Sequence, residues 1–193
     1  MKAVIAWLVR YWVQAALTMG VVFTLLTPLI YATWSLPLFA IFIQLPTYLL
    51  HQVEEHTDDR FRIFVNRKVF GAVEALTPAS IVWINLPGVW GVNIACLYAA
   101  HFAGIGWGLT GIYLTLVNAV VHVLAGIAQR AYNPGLWTGV ILFLPVGGWA
   151  WMVLNAEPGV TRIHHLVGLT LAVLIHVAIV AYAKTRSLRL ARS

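Results

Sequence analysis

Six apolar stretches of the chain are long enough to cross a lipid bilayer, and short polar segments separate them. An α-helix rises about 1.5 Å per residue, so about 20 apolar residues span the hydrocarbon core. The pattern predicts an all-α fold, a polytopic bundle of transmembrane helices within a single membrane domain that covers residues 1–193. The predicted spans are 13–34, 36–57, 78–100, 106–129, 135–154 and 163–183.

The composition also indicates a membrane protein. Hydrophobic residues make up 61% of the chain and charged residues 9%, whereas soluble domains carry about 25% charged residues. The net charge of +6 comes from basic residues in short segments beside the apolar stretches, so it does not indicate a nucleic-acid partner. We expect membrane lipid and a small lipophilic substrate as partners, in the cytoplasmic membrane of a bacterium. The single cysteine, Cys96, excludes a disulfide framework and a cysteine-based metal site.

Lysine and arginine are distributed unevenly about the predicted spans. Of the 12 basic residues, eleven lie before span one or after spans two, four and six, and only Arg162 lies on the opposite side. The eleven are Lys2, Arg10, Arg60, Arg62, Arg67, Lys68, Arg130, Lys184, Arg186, Arg189 and Arg192. Because basic residues are enriched in cytoplasmic loops, this distribution predicts that both termini are cytoplasmic.

Three histidines on three predicted helices share one depth below the cytoplasmic face. By the helical rise, His51 and His122 lie about 10 Å inside the ends of spans two and four, and His176 lies about 12 Å inside the end of span six. His51, Glu54 and Glu55 stand at positions i, i+3 and i+4, so they share one helix face. We therefore expect these side chains to meet in the interior of the bundle.

Two adjacent carboxylates at such a depth call for a cation. Ionisable side chains inside a membrane are costly and mark functional sites, and neighbouring carboxylates repel each other unless a positive charge lies between them. Neutral imidazoles and carboxylates suit Zn, Fe or Mn, so the sequence predicts a divalent metal cofactor, Zn or Fe, with one or two ions. The predicted metal ligands are His51, Glu54, Glu55, His122 and His176, and either glutamate is a candidate catalytic base.

Further polar residues are candidates for supporting the ligands or contacting substrate. Asn118 lies one turn before His122 on the same face, and Glu74 lies near the cytoplasmic start of span three. The sequence Asn133-Pro134-Gly135 is typical of a turn and precedes span five on the cytoplasmic side. The candidates of this kind are Asn118, His56, Glu74, Tyr132 and Asn133. His164 and His165 lie at the other end of span six, and we interpret them as interfacial residues.

The chain resembles the HXXEE family of integral membrane proteins. The resemblance rests on His51-x-x-Glu54-Glu55, on "NAVVH" at 118–122 and on "YNPGLWTGVILFLP" at 132–145, and it extends over roughly residues 40–150. It implies a small integral membrane protein and no established biochemical function.

The leading hypothesis is a metal-dependent membrane hydrolase or oxidoreductase that acts on a lipophilic substrate near the cytoplasmic face. One alternative is a transporter of protons or divalent metal, although Asn85, Asn93 and Thr110 offer only a thin polar path across the spans. Another is a metal-free acid/base isomerase. The simplest alternative is a structural subunit in which the HQVEEH segment is a solvated helix end and the histidines are hydrogen-bonded core residues.

Overall fold

The computed structural model describes residues 2–192, without the side chain of Lys2, and all regular elements in this part of the chain are helical. The Lys2 side chain, used in the topology prediction, therefore lies outside the described part. Six helices are long and apolar enough to cross a membrane, which confirms the all-α fold and the number of predicted spans, although the first helix begins before residue 13 and the second extends beyond residue 57. They are α1 Lys2–Thr33, α2 Leu36–Val69, α3 Pro78–Phe102, α4 Ile105–Gln129, α5 Leu136–Asn155 and α6 Arg162–Leu190.

The helix that carries the HXXEE motif stops being α-helical at His56, where the predicted span also ends. Asp58 and Asp59 take left-handed backbone conformations, with φ of 56° and 59°. This conformation is uncommon outside glycine, and aspartate is one of the few residues that adopts it readily. The segments of α2 are Leu36–Phe42, Gln44–His56, a 3₁₀ turn Thr57–Asp59, a short helix Arg60–Phe64 and a π-helical turn Val65–Val69.

Wide π-helical turns interrupt α3 and α5 beside prolines. Pro87 lies within the turn Leu86–Gly91, and Pro145 follows the turn Gly139–Phe143. Proline has no backbone N–H and its ring clashes with the carbonyl four residues earlier, so a wider turn relieves the conflict. In α5 this turn begins directly after Thr138, whose side chain belongs to the candidate site.

α2 is the central helix of the bundle. In its most apolar window 61% of the residues are buried, against 11% for α1 and 17% for α6. α1 packs against α2, where Gly20 lies against Leu49 and Leu50, and α6 packs against α4, where Gly168 lies against the backbone of Leu109 and Thr110. Side chains on α2 can therefore face the bundle interior, while the outer helices expose most of their apolar residues.

A small aromatic core fixes the middle of α2 beside the motif. The Tyr48 hydroxyl donates a hydrogen bond of 2.9 Å to the carbonyl of Leu114 on α4. The Phe143 ring of α5 lies 4.5 Å from the Tyr48 ring and 4.1 Å from the imidazole of His51, centroid to centroid. This packing joins α2, α4 and α5 one turn away from the polar residues and sets the direction in which His51 points.

Candidate metal centre

Three buried side chains from two helices form a cluster of potential metal ligands. His51 and Glu55 of α2 and His122 of α4 each place one ligand atom within 4.8 Å of the others. The Nε2 atom of His51 lies 3.4 Å from Glu55 Oε2, and the Nε2 atom of His122 lies 3.6 Å from Glu55 Oε1. The exposed fractions are 0% for His51, 6% for Glu55 and 5% for His122, so water does not solvate the carboxylate freely.

The hydrogen bonds around Thr138 identify the free nitrogen of His51. The Thr138 hydroxyl donates to Glu54 Oε2 at 2.5 Å, since a carboxylate can only accept. The hydroxyl has a single proton, so its contact of 2.7 Å with His51 Nδ1 makes it the acceptor and the imidazole the donor. In the neutral ring Nε2 then carries a lone pair. That atom is buried and has no hydrogen-bond partner within the described residues.

His122 is oriented in the same way by Asn133. The Asn133 amide nitrogen donates to the carbonyl of His122 at 2.9 Å, which fixes the amide orientation and leaves Oδ1 as the acceptor. His122 Nδ1 lies 2.7 Å from this oxygen and must carry the proton. The Nε2 lone pair of His122 is therefore directed toward Glu55. Histidines that bind metal commonly donate their other N–H to an oxygen acceptor in this way.

Glu55 is held by a buried network that runs toward α3. His56 Nε2 lies 3.0 Å from Glu55 Oε2, and the amide nitrogen of Asn85, which donates to the carbonyl of Ile81 at 2.9 Å, lies 3.3 Å from the same imidazole atom. Gln52 donates to Asn85 Oδ1 at 2.8 Å and accepts a bond of 2.6 Å from the indole of Trp90. Asn85 of α3 therefore contacts the imidazole that lies against the carboxylate.

The three ligand atoms lie close enough together to bind a single ion. Ligand atoms about 2.1 Å from an ion are about 3.4 Å apart at the corners of a tetrahedron, and the observed 3.4 and 3.6 Å join the two imidazoles to different oxygens of Glu55. Without a cation, neither imidazole would donate to the carboxylate, because each Nε2 carries a lone pair. His51, Glu55 and His122 can therefore hold one metal ion and leave a fourth position open.

The backbone of Gly135 packs closely against both imidazoles. It has a φ of +96°, and a Cβ atom added there would lie 2.6 Å from His122 Cε1 and 2.8 Å from His51 Cε1. Only glycine provides both the conformation and the space. The turn 133–135 predicted from the sequence thus contributes Asn133 to orient one ligand and Gly135 to leave room between the two.

The structure does not bring Glu54 into the cluster. Its carboxylate lies at the amino end of α5, where Oε2 accepts from the Thr138 amide at 2.7 Å and Oε1 from the Trp137 amide at 3.2 Å. A carboxylate is favoured at this position by the helix dipole and the free N–H groups of the first turn. The Tyr132 hydroxyl donates to Oε1 as well, at 2.9 Å. Burial, followed by the hydrogen bond to Glu54 and its charge, raises the pKa of Tyr132.

Three other predicted site residues also lie apart from the cluster. His176 is half-buried, and its Nδ1 atom lies 2.8 Å from the carbonyl oxygen of Ala172 on the same helix. Asn118 lies beside the Tyr48 hydroxyl. Glu74 forms an ion pair with Arg62 at 3.1 Å. His164 caps the first turn of α6 through Thr161, in agreement with a role away from the centre.

Two residues that complete the centre were not among the predicted site residues. Thr138 sits in an apolar segment, and the only sequence signal for it is its position one turn after the Asn133-Pro134-Gly135 turn. Gln52 lies inside the motif, but its partner Asn85 is 33 residues away, and sequence spacing carries no information about that contact.

The comparisons with known proteins give one match. A family model described as protein of unknown function with HXXEE motif matches residues 42–150, more than half of the chain. That range includes all three residues of the cluster together with Asn133, Gly135 and Thr138. The curated proteins and the solved structures give no significant match.

Proposed function

Because the chain belongs to the HXXEE family, whose function is unknown, we propose from the geometry of its own site that it is a membrane-embedded, metal-dependent enzyme. Its ligands are His51, Glu55 and His122, and its substrate is a lipophilic molecule taken from the membrane. The observation that carries the proposal is the buried, unpartnered Nε2 of His51 beside a carboxylate and a second imidazole lone pair.

The ligand set suits zinc and a hydrolytic reaction. Two histidines and one glutamate leave one position open for water in zinc hydrolases, and the same set occurs in iron oxygenases. A zinc ion bound there would act as a Lewis acid and activate a water molecule at its open position.

The protein residues have distinct roles in this proposal. Thr138 and Asn133 hold the two imidazoles with Nε2 directed at the ion, and His56 holds Glu55. Glu54 anchors the start of α5 and so places Thr138. The low exposure of all three ligands excludes bulk water and strengthens electrostatic interactions within the site.

The distribution of basic residues supports a position for the centre near the cytoplasmic face. The α-helical part of α2 ends at His56, directly before the charged segment 58–62, and Glu55 is the preceding residue. We propose that both termini are cytoplasmic and that substrate enters from the inner leaflet. An outward orientation, shown by labelling of cysteines introduced into the 57–60 turn, would overturn this part of the proposal.

Elemental analysis of the purified protein tests the metal assignment. The wild type should contain about one zinc per chain after metal-replete expression, and H51A and H122A should each lose it. H101A is the control, because His101 is exposed and lies outside the cluster. Wild type without stoichiometric metal would refute the proposal, and metal flux into liposomes would favour the transporter.

A further inference from the structure

A cavity lies beside the metal centre, between α1 and the cytoplasmic ends of α2 and α3. Its volume is about 530 Å³, within the range of small-molecule binding sites. His56 forms part of its wall, and its Nε2 atom lies 3.0 Å from Glu55 Oε2. The lining residues include Arg10, Trp12, Val13, His56, Asp58 and Ile81.

The lining of this cavity has an apolar part and a charged part. Apolar side chains from all three helices form most of the wall, and Trp12 lies 4.8 Å from the imidazole of His56, centroid to centroid. The charged residues come from the first turns of α1 and from the turn that ends the α-helical part of α2. A molecule that matches this division has an apolar chain and a polar head.

Two opposite charges in the cavity remain available for such a head. Arg62 forms an ion pair with Asp59, which neutralises that carboxylate. Arg10 and Asp58 both line the cavity, and the ion pairs of residues 2–192 include neither. The Arg10 guanidinium instead lies 5.3 Å from the centre of the Tyr11 ring. The cavity therefore presents a cation and an anion that do not neutralise each other.

We infer that this cavity binds a zwitterionic phospholipid. Its acyl chain would lie against Trp12, Val13 and Ile81, its phosphate would pair with Arg10, and its ammonium group would pair with Asp58. Arginine is well suited to phosphate because its planar group presents paired donors. His56 connects the cavity with Glu55, so the bound lipid would be the substrate of the enzyme; this assignment rests on the proposed function. The binding of the lipid does not depend on the proposed function.

Native mass spectrometry of the full chain in detergent tests the inference with two lipids of identical acyl chains. Wild type should retain phosphatidylethanolamine about tenfold better than phosphatidylglycerol, whose head lacks the ammonium group. R10Q should weaken both lipids about tenfold, and D58N should weaken phosphatidylethanolamine alone and abolish the preference. R67Q is the matched control, because Arg67 lies in the same charged region and outside the cavity.

The possible outcomes separate this inference from the proposed metal enzyme. The H51A variant should bind phosphatidylethanolamine as wild type does, since neither charged contact involves the metal ligands. Equal retention of the two lipids by wild type, or the same loss in R67Q as in R10Q, would overturn the inference and leave the metal centre unaffected. If the wild-type protein binds the lipid but contains no metal, the lipid-binding inference would be supported and the proposed metal-dependent enzyme would be refuted.

Discussion

His51 Nδ1 and Thr138 Oγ1 lie 2.7 Å apart, and the direction of this hydrogen bond decides which nitrogen of His51 can bind a metal. The Thr138 hydroxyl donates its only proton in a hydrogen bond to Glu54. The threonine therefore links a carboxylate and a histidine through hydrogen bonds. Glu54 influences the orientation of His51 in this way, although its carboxylate lies outside the cluster.

Replacement of Thr138 by valine should weaken metal binding while the protein stays folded. Valine has nearly the same shape and cannot accept the His51 N–H, so the imidazole loses its fixed tautomer. Loss of such a partner lowers metal affinity by about 10- to 100-fold. Competition with a chromophoric chelator measures the change, and T138S, which keeps the hydroxyl, should bind as wild type does. Unchanged affinity in T138V would show that Thr138 does not orient the ligand.

Replacement of Gly135 by alanine should remove most of the bound metal. The backbone conformation there costs about 1–2 kcal/mol for a residue with a Cβ, and that Cβ would press against both imidazoles. G148A is the control, because Gly148 has open space around its Cα. Metal content per chain should fall in G135A and stay constant in G148A. Full occupancy in G135A would mean that the turn can move away from the ligands.

Replacement of Gln52 by leucine should destabilise the protein by about 1–3 kcal/mol. The Trp90 indole would lose its acceptor and Asn85 Oδ1 its donor, both in the buried network behind His56. Thermal unfolding in detergent measures the effect, with Q129L as control because Gln129 is exposed at the end of α4. Equal melting temperatures for Q52L and wild type would argue that the network adds little to stability.

Replacement of Glu54 by glutamine should change the titration of Tyr132 and weaken metal binding without abolishing it. The Glu54 charge helps to raise the pKa of Tyr132, so the variant should titrate closer to the ordinary value of about 10. The Tyr132–Glu54 hydrogen bond should persist at neutral pH and be lost as pH rises through the raised pKa. The ultraviolet difference between each protein and its Y132F counterpart isolates this residue. Complete loss of metal in E54Q, as expected for H51A, would make Glu54 a ligand, as the sequence pattern predicted.

The sequence predicted the helices and the meeting of His51 and His122 because both depend on local properties. Apolar length defines the helices, and the rise per residue places His51 and His122 at one level. The choice between Glu54 and Glu55 depends on how α2 is rotated against α4 and α5, which tertiary packing decides. His176 illustrates the limit of depth alone: it satisfies Nδ1 on its own helix, which spacing along the chain cannot reveal.

The order in which the chain is synthesised has a consequence for the centre. Thr138 follows His51 by 87 residues, and its contacts with Glu54 join residues 84 apart. A nascent chain that has inserted only its first four helices already carries all three ligands, but His51 does not yet have the partner that fixes its proton. Metal loading should therefore belong to the last stage of biogenesis, after the fifth helix has entered the bilayer.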